Sequence, residues 1–228
     1  MTRVLDVALA ALGLVLTSPL LALAAVGVKL TSAGPVLFKA SRAGRDGKPF
    51  SMLKIRTMEV GADRSGPITA SRDARVFPWG RLLRRLKVDE LPQLINVLRG
   101  DMSMVGPRPE DIEIVRDGYT PFMLESLTVR PGITGPGSLS YFADESSLPT
   151  DPEQARTTYL ATILPRKIAL DLVYVRHRSV AYYGELVMRT VASIFRLDSM
   201  FAARSRWELA TARDYLRGVH EGDREHWT

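Results

Sequence analysis

Cysteine is absent from this chain of 228 residues, and histidine occurs only at His177, His220 and His226. The first absence excludes disulfides, thiolate metal sites and a cysteine nucleophile, and it accords with a chain that faces the cytoplasm. The second argues against a histidine zinc site, because none of the three stands at ligand spacing. No internal repeat or low-complexity segment occurs. Helix-turn-helix, zinc and aromatic RNA-binding motifs are also missing, so a nucleic-acid binder has no support beyond charge. What is present is ordinary for a globular chain: 46% apolar and 25% charged residues. Basic residues outnumber acidic ones by 31 to 25, a net charge of +6. That excess points to an anionic partner: nucleic acid, anionic lipid headgroups or a phosphorylated substrate.

Between Val7 and Val28 no residue is charged. About twenty apolar residues suffice for a helix to cross the hydrocarbon core. A signal peptide fits poorly, because the apolar core is too long and no small-residue cleavage site follows. Thr17-Ser18-Pro19 stands in the middle of the run. Pro19 has no N–H for the carbonyl of Val15, and Ser18 is placed to bond back to the carbonyl of Leu14. A break at Ser18 and Pro19 would let the helix enter the bilayer and return, although prolines also kink spanning helices. The basic residues that follow, Lys39, Arg42, Arg45, Lys48, Lys54 and Arg56, place the body on the cytoplasmic side. Charge does not choose a side for the first residues: a spanning helix puts them outside, a re-entrant one inside.

The rest reads as mainly α with a small β-hairpin, an α+β chain. Strands are expected around Pro35–Ser41 and Pro49–Ile55, joined by a type I′ turn at Asp46-Gly47. Residues 59–75 read as a loop. A basic helix is expected over Trp79–Leu86, and a short amphipathic one carries Leu91, Leu94, Ile95 and Leu98 before Gly100 stops it. Further helices are expected over Glu110–Asp117, Tyr159–Arg176 and Tyr182–Arg196, with a turn-rich stretch at 130–137. The last two mix apolar and basic residues, which suits a core or the bilayer interface. Three segments result: a membrane helix (1–30), a catalytic body (31–200) and a charged tail, amphipathic or frayed (201–228).

Chemistry concentrates in Lys87-Val-Asp-Glu-Leu-Pro-Gln-Leu-Ile-Asn-Val-Leu98. Asp89 falls where an N-cap is expected and Pro92 in the first turn, so one reading of Asp89 is a helix cap. The other is a carboxylate at a helix N-terminus, where free N–H groups also favour phosphate. An aspartate there attacks phosphorus if cations neutralise the phosphate oxygens. Arg84, Arg85 and Lys87 are near in sequence, and Arg108 lies in Gly106-Pro-Arg-Pro-Glu110. Flanking prolines limit the backbone entropy lost in aiming Arg108, whose fork of donors matches phosphate; an exposed turn arginine is the alternative. Lys54 and Arg56 share one face of a strand, either an electropositive floor or a solvated edge.

Taken together, Gly34-Pro-Val-Leu-Phe, Gly47-Lys-Pro-Phe, Lys54-Ile-Arg-Thr-Met, Asp89-Glu-Leu-Pro-Gln-Leu-Ile-Asn-Val-Leu, Gly100-Asp-Met-Ser-Met-Val-Gly-Pro-Arg-Pro-Glu and Arg130-Pro-Gly-Ile-Thr-Gly resemble the bacterial sugar transferase family, the monotopic phosphoglycosyl transferases. The match in order and spacing runs from the Ser-Pro-interrupted helix to about Ser179. The resemblance implies a re-entrant helix bent at Ser18-Pro19 and a small member of the family on the cytoplasmic face of the bacterial inner membrane. It implies Asp89 as nucleophile and Glu90 as its dyad partner, both at a magnesium ion. Lys54, Arg56, Arg84, Arg108 and Arg130 would bind substrate. The implied reaction is ping-pong: a sugar 1-phosphate passes from a UDP-sugar to Asp89, with release of UMP, and then to polyprenol phosphate. Membrane lipids are implied partners, nucleic acid is not, and a homodimer is compatible with the sequence. The rival is a non-enzymatic membrane-anchored scaffold for polysaccharide assembly. Two departures stand out. Thr134-Gly-Pro-Gly-Ser138 replaces the frequent Thr-Gly-Trp-Ala-Gln, and Tyr183 stands where many members have aspartate, with Glu185 nearby.

Overall fold

The computed structural model describes residues 2–62, 74–141, 149, 151–194 and 201–225. Most of the loop expected at 59–75 lies outside them. The first element, α1 (Arg3–Thr31), is one helix of 29 residues, about 44 Å long at 1.5 Å per residue. Asp6, Ala10, Ala24 and Val28 are buried, and with Leu14 and Leu21 they form one stripe at helical spacing. The other sides are apolar and exposed, including Val4, Leu12, Val15, Leu16, Leu23, Val26 and Leu30.

The Ser-Pro signal acts differently from expectation. The helical assignment runs unbroken through Pro19, so Ser18 and Pro19 do not end a segment. Ser18 Oγ donates to the carbonyl of Val15 at 2.8 Å, not to that of Leu14. Val15 is the residue whose carbonyl Pro19 leaves without its i+4 donor. The serine hydroxyl therefore repairs the defect that the proline makes.

Two strands follow, β1 (Leu37–Ala43) and β2 (Pro49–Ile55), paired antiparallel with Leu37 opposite Ile55 and Ala43 opposite Pro49. Asp46 and Gly47 both have positive φ, 57° and 71°, as a type I′ turn requires. The turn sits in a wider loop closed by the Gly44 N–H to the Lys48 carbonyl. Next come α2 (Pro78–Arg85), a 3-10 turn (Val88–Glu90) and α3 (Gln93–Arg99). Gly100, at φ 91°, closes α3 in the left-handed region. Asn96, fully buried on α3, accepts the Leu53 N–H and donates to the Ser51 carbonyl. An amide thus takes the place of a third strand on the edge of β2.

After β3 (Ser103–Val105), α4 (Ile112–Gly118) and α5 (Pro121–Leu124), the chain returns as β4 (Gly132–Thr134), parallel to β3. This pair was not expected, since the 130–137 stretch reads as turns. The helices α6 (Pro136–Tyr141) and α7 (Pro152–Thr158) follow. A π-turn at Tyr159–Ile163 leads into α8 (Leu164–Arg176), where Pro165 removes a helix donor. The last two are α9 (Val180–Ile194) and α10 (Ala202–Glu225). Within the stretch read as an amphipathic or frayed tail, α10 runs as a helix as far as the described residues extend. Ala212 of α10 packs with Ala169, Leu170 and Val173 of α8, and Glu208 is fully buried against Arg189 and the Tyr182 hydroxyl, each at 2.5 Å.

Both ends of α1 are fastened to this body. Near the start, Arg3 donates to the carbonyls of Val97 and Leu98 at the end of α3. Asp6 Oδ1 accepts from Ser103 Oγ, the Met104 N–H and the Tyr183 hydroxyl, all at 2.8 Å. Near its end, Ala24 and Val28 pack with Ile55, Phe77, Leu83 and Val88. Asp6→Ala is expected to cost about 2–3 kcal/mol, since three donors, two of them buried, lose a shared acceptor. A melt of the detergent-solubilised variant checks this, and an unshifted midpoint contradicts it.

Candidate active site

Lys87, at φ 57°, sits in the left-handed region that non-glycine residues seldom adopt. It turns the chain sharply from α2 into the 3-10 turn that carries Val88, Asp89 and Glu90. Val88 enters the core beneath α1, while Asp89 and Glu90 meet charged neighbours. Asp89 is not the N-cap that its spacing predicts. Pro92 holds that position, and no side chain caps α3. Asp89 Oδ1 is buried and accepts no hydrogen bond. Burial and the neighbouring Glu90 carboxylate push its carboxyl above the ordinary range, against the pull of Lys54, Arg84 and Lys87.

Glu90 is the opposite case. Burial alone would raise its carboxyl, but Arg108 and Lys54 hold it well below the usual range. Arg108 grips it through both guanidinium arms, and Lys54 Nζ lies 3.3 Å away. Burial in turn lowers the Lys54 ammonium, with Glu90 opposing. The two carboxylates are therefore unlike: Glu90 is paired and charged, and Asp89 is desolvated with one oxygen that accepts no hydrogen bond. Lysine at position 108 would lose one arm of the fork. Arg108→Lys is expected to reduce turnover about 10–100-fold through loosened orientation, read by steady-state kinetics.

Of the residues singled out by sequence, Lys54, Arg84, Asp89, Glu90 and Arg108 come together. Arg84 Nε donates to Thr57 Oγ1 at 2.8 Å, and its charge is felt at Asp89. Arg56 does not join them. It is buried, and its donors go to the Pro35 carbonyl, Ser32 Oγ and the Ser32 carbonyl beyond the end of α1, so it fastens the end of α1 to β2. Arg130 also lies elsewhere, donating to the Gly100 carbonyl beside a cavity shared with Asp6, Arg45 and Arg178. Tyr183 donates its hydroxyl to Asp6.

The sequence reading missed the support behind Arg108. Asp171, fully buried on α8, accepts the Arg108 N–H at 3.3 Å on one oxygen and the Gly137 N–H at 3.0 Å on the other. Burial pushes its carboxyl up to about 7, although Lys167 and both N–H groups oppose this. A Cβ on Gly137 would lie 2.7 Å from Asp171 Oδ1, so glycine is required there. One position beyond Pro109, buried Glu110 meets Lys167 Nζ and accepts the Tyr159 hydroxyl at 2.6 Å. The available signal was a lone Asp171 within the apolar run Ile168-Ala-Leu-Asp-Leu-Val173, because a carboxylate is seldom buried without partners.

Residues 1–197 match the family model described as bacterial sugar transferase. The chain belongs to the bacterial sugar transferase family. It is 41% identical over 204 residues to a UDP-glucose:undecaprenyl-phosphate glucose-1-phosphate transferase of Caulobacter vibrioides, covering 87% of this chain and 71% of that one. A protein of the same description from Escherichia coli K12 is 39% identical over 193 residues, 83% of this chain and 39% of its own length. A UDP-N-acetylgalactosamine-undecaprenyl-phosphate N-acetylgalactosaminephosphotransferase of Aeromonas hydrophila is 42% identical over 136 residues, covering 58% of this chain and 32% of that protein.

Proposed function

We propose that this chain transfers a sugar 1-phosphate from a UDP-sugar to undecaprenyl phosphate through a phosphosugar ester on Asp89, as the initiating step of polysaccharide synthesis. Membership in the family makes it a phosphoglycosyl transferase. The observation that carries the covalent route is Asp89 itself: a buried carboxylate with an oxygen left without a partner, in a cluster with Lys54, Arg84 and Arg108. A structural aspartate so placed would have found a donor. In the first step an Asp89 oxygen bonds to the sugar-bearing phosphorus, and the bond to the UMP oxygen breaks. In the second, an oxygen of the lipid phosphate bonds to that phosphorus and Asp89 leaves. Lys54 and Arg108 hold Glu90 and compensate the negative charge of the arriving diphosphate.

The donor set fits a magnesium ion. Asp89 and Glu90 are adjacent, Asp89 Oδ1 is a free buried acceptor, and no three-residue metal cluster occurs among the described residues. Magnesium takes one or two carboxylates and completes its shell with water and substrate phosphate oxygens. Asp89 and Glu90 would hold it, and it would neutralise charge on the transferring phosphoryl group.

The membrane placement is monotopic, on the cytoplasmic face. In support, Arg3 and Asp6 at one end of α1 and Ala24 and Val28 at the other contact the same body. A helix that crossed the bilayer would carry those ends to opposite sides. The apolar outer face of α1 is the embedded one, which brings the dyad to the level of a lipid phosphate.

The test omits the acceptor. The purified enzyme, given UDP-sugar and magnesium alone, should release a burst of about one UMP per active site and gain the mass of one phosphosugar on the Asp89 peptide. UMP release that requires polyprenol phosphate, with no mass gain, would exclude the covalent route.

A further inference from the structure

A second cavity lies away from the dyad, walled by α6, α8, α9 and α10, with a volume of about 770 Å³. None of Lys54, Arg84, Asp89, Glu90 or Arg108 lines it. Its walls carry Leu139, Ile163, Leu170, Leu209 and Leu216, while its charged residues among those described are all cations: Arg166, Lys167, Arg189, Arg213 and Arg217. Two of the five are neutralised within the protein, Lys167 by Glu110 and Arg189 by Glu208. A third, Arg217, faces Asp214 at 3.7 Å in an exposed pair, which is worth little. Arg166 and Arg213 have no hydrogen bond or ion pair among the described residues. Arg166 and Arg213 are exposed at its mouth, and an apolar cavity rimmed by two guanidinium groups without a carboxylate partner among the described residues suits a ligand that is anionic at one end and aliphatic at the other.

The position of the cavity narrows the class. The α9 helix that supplies Arg189 exposes Val180, Met188 and Val191, which fall on one side of a helix. Val187 of α9 packs in one cluster with Leu9 of α1, so this exposed apolar strip adjoins the membrane helix. The cavity is therefore about one helix diameter, 10 Å, from the surface assigned to lipid. Among the described residues Phe201 is the one aromatic side chain in its lining, which leaves little to stack against a nucleotide base. The acceptor's phosphate, moreover, must come within about 3.5 Å of the phosphorus held at Asp89, and no dyad residue borders this cavity.

We propose that the cavity between α8 and α10 is a site for an anionic bilayer phospholipid, with its phosphate between Arg166 and Arg213 and the first carbons of its chain against Leu139, Leu170 and Leu209. The proposal rests on the membrane placement given above but not on the covalent route. The family model stops at residue 197, so the α10 wall, with Arg213, is supplied by a segment outside it. A lipid held here would fasten α10 to the headgroup layer.

The test is retention of oleoyl lysophosphatidic acid by the full chain in detergent, measured by native mass spectrometry. Lysophosphatidylcholine and inorganic phosphate are the comparators. The wild type should retain lysophosphatidic acid at least tenfold more tightly than lysophosphatidylcholine, and inorganic phosphate should not displace it. R166A/R213A should lose at least tenfold. L209W, which fills the cavity and keeps both charges, should lose as much. Undiminished retention by both variants overturns the proposal, as does full displacement by inorganic phosphate, which would leave a simple anion site. A parallel rise in KM for polyprenol phosphate in R166A/R213A would make this the acceptor's seat and overturn the separate site. D89N should retain the lipid fully while failing in transfer, which separates failure of this proposal from failure of the covalent one.

Discussion

Asp89→Asn is expected to lower sugar-phosphate transfer at least 10³-fold while leaving the protein as stable as the wild type or more so. The two halves of this result have one cause. Asp89 Oδ1 accepts no hydrogen bond, and burial beside Glu90 disfavours its ionised form. The carboxylate therefore contributes little to the fold and carries a desolvation cost, which a neutral amide of the same shape would relieve. The amide cannot form the phosphosugar ester. Labelled transfer to lipid measures the first half, and the thermal midpoint in detergent measures the second. Substantial turnover by the variant would remove Asp89 from the reaction. A collapsed midpoint would make it a structural aspartate after all.

Lys167→Met should have the largest effect on stability, a loss of about 3–5 kcal/mol. It leaves Glu110 buried with the Tyr159 hydroxyl as its remaining close partner. Burial acts to raise the Glu110 carboxyl, but in the native protein Lys167, with Arg42 behind it, brings it down to about 2 from an ordinary 4.5. Its folded value is depressed, so its contribution is complete above pH 4.5 and lost as pH falls toward 2. In the variant the sign reverses, because an unpaired buried carboxyl prefers its proton and the native state then gains stability as pH falls. The gap between wild type and variant should be widest near pH 8 and narrow toward pH 5. A midpoint difference of about 10 °C at pH 8 is expected, and a gap independent of pH would contradict the assignment. Because Glu110 is two residues beyond Arg108, the variant should also lose turnover.

The local grammar of this chain was legible wherever one residue dictates its own backbone. The Asp46-Gly47 turn, the stop at Gly100 and the apolar run of α1 all stand where they were expected. The core of the site was legible through its motifs, with Asp89, Glu90, Lys54, Arg84 and Arg108 assembled from four separate segments. Less legible were roles that depend on which way a long side chain turns. Arg56 shares a motif with Lys54, yet its guanidinium goes to Ser32 and Pro35, and strand alternation cannot separate a shared face from a shared destination. Of the two readings of Asp89, the helix cap fails because a 3-10 turn intervenes before α3, and Pro92 suits both. The short β3 and β4 strands are beneath the length at which alternation becomes visible. The partners of Asp171 and Glu110 come from residues 34 to 63 positions away, a distance at which spacing carries no information.

The way α1 lies on the body has a practical consequence for handling the protein. An anchor that only tethers can be cut away to leave a water-soluble enzyme, but here Ala10 and Leu14 cover Met52, Leu94 and Met102, and Ala24 and Val28 cover Phe77 and Leu83. Deleting the first 31 residues would strip the lid from two hydrophobic clusters and release Ser103 and Tyr183 from Asp6. Exchanging the segment for an unrelated hydrophobic helix would fail for a related reason. A Cβ at Gly27 would sit 2.3 Å from the Trp79 ring, so that position tolerates no larger residue without moving the indole. The N-terminal helix and the body form one folding unit.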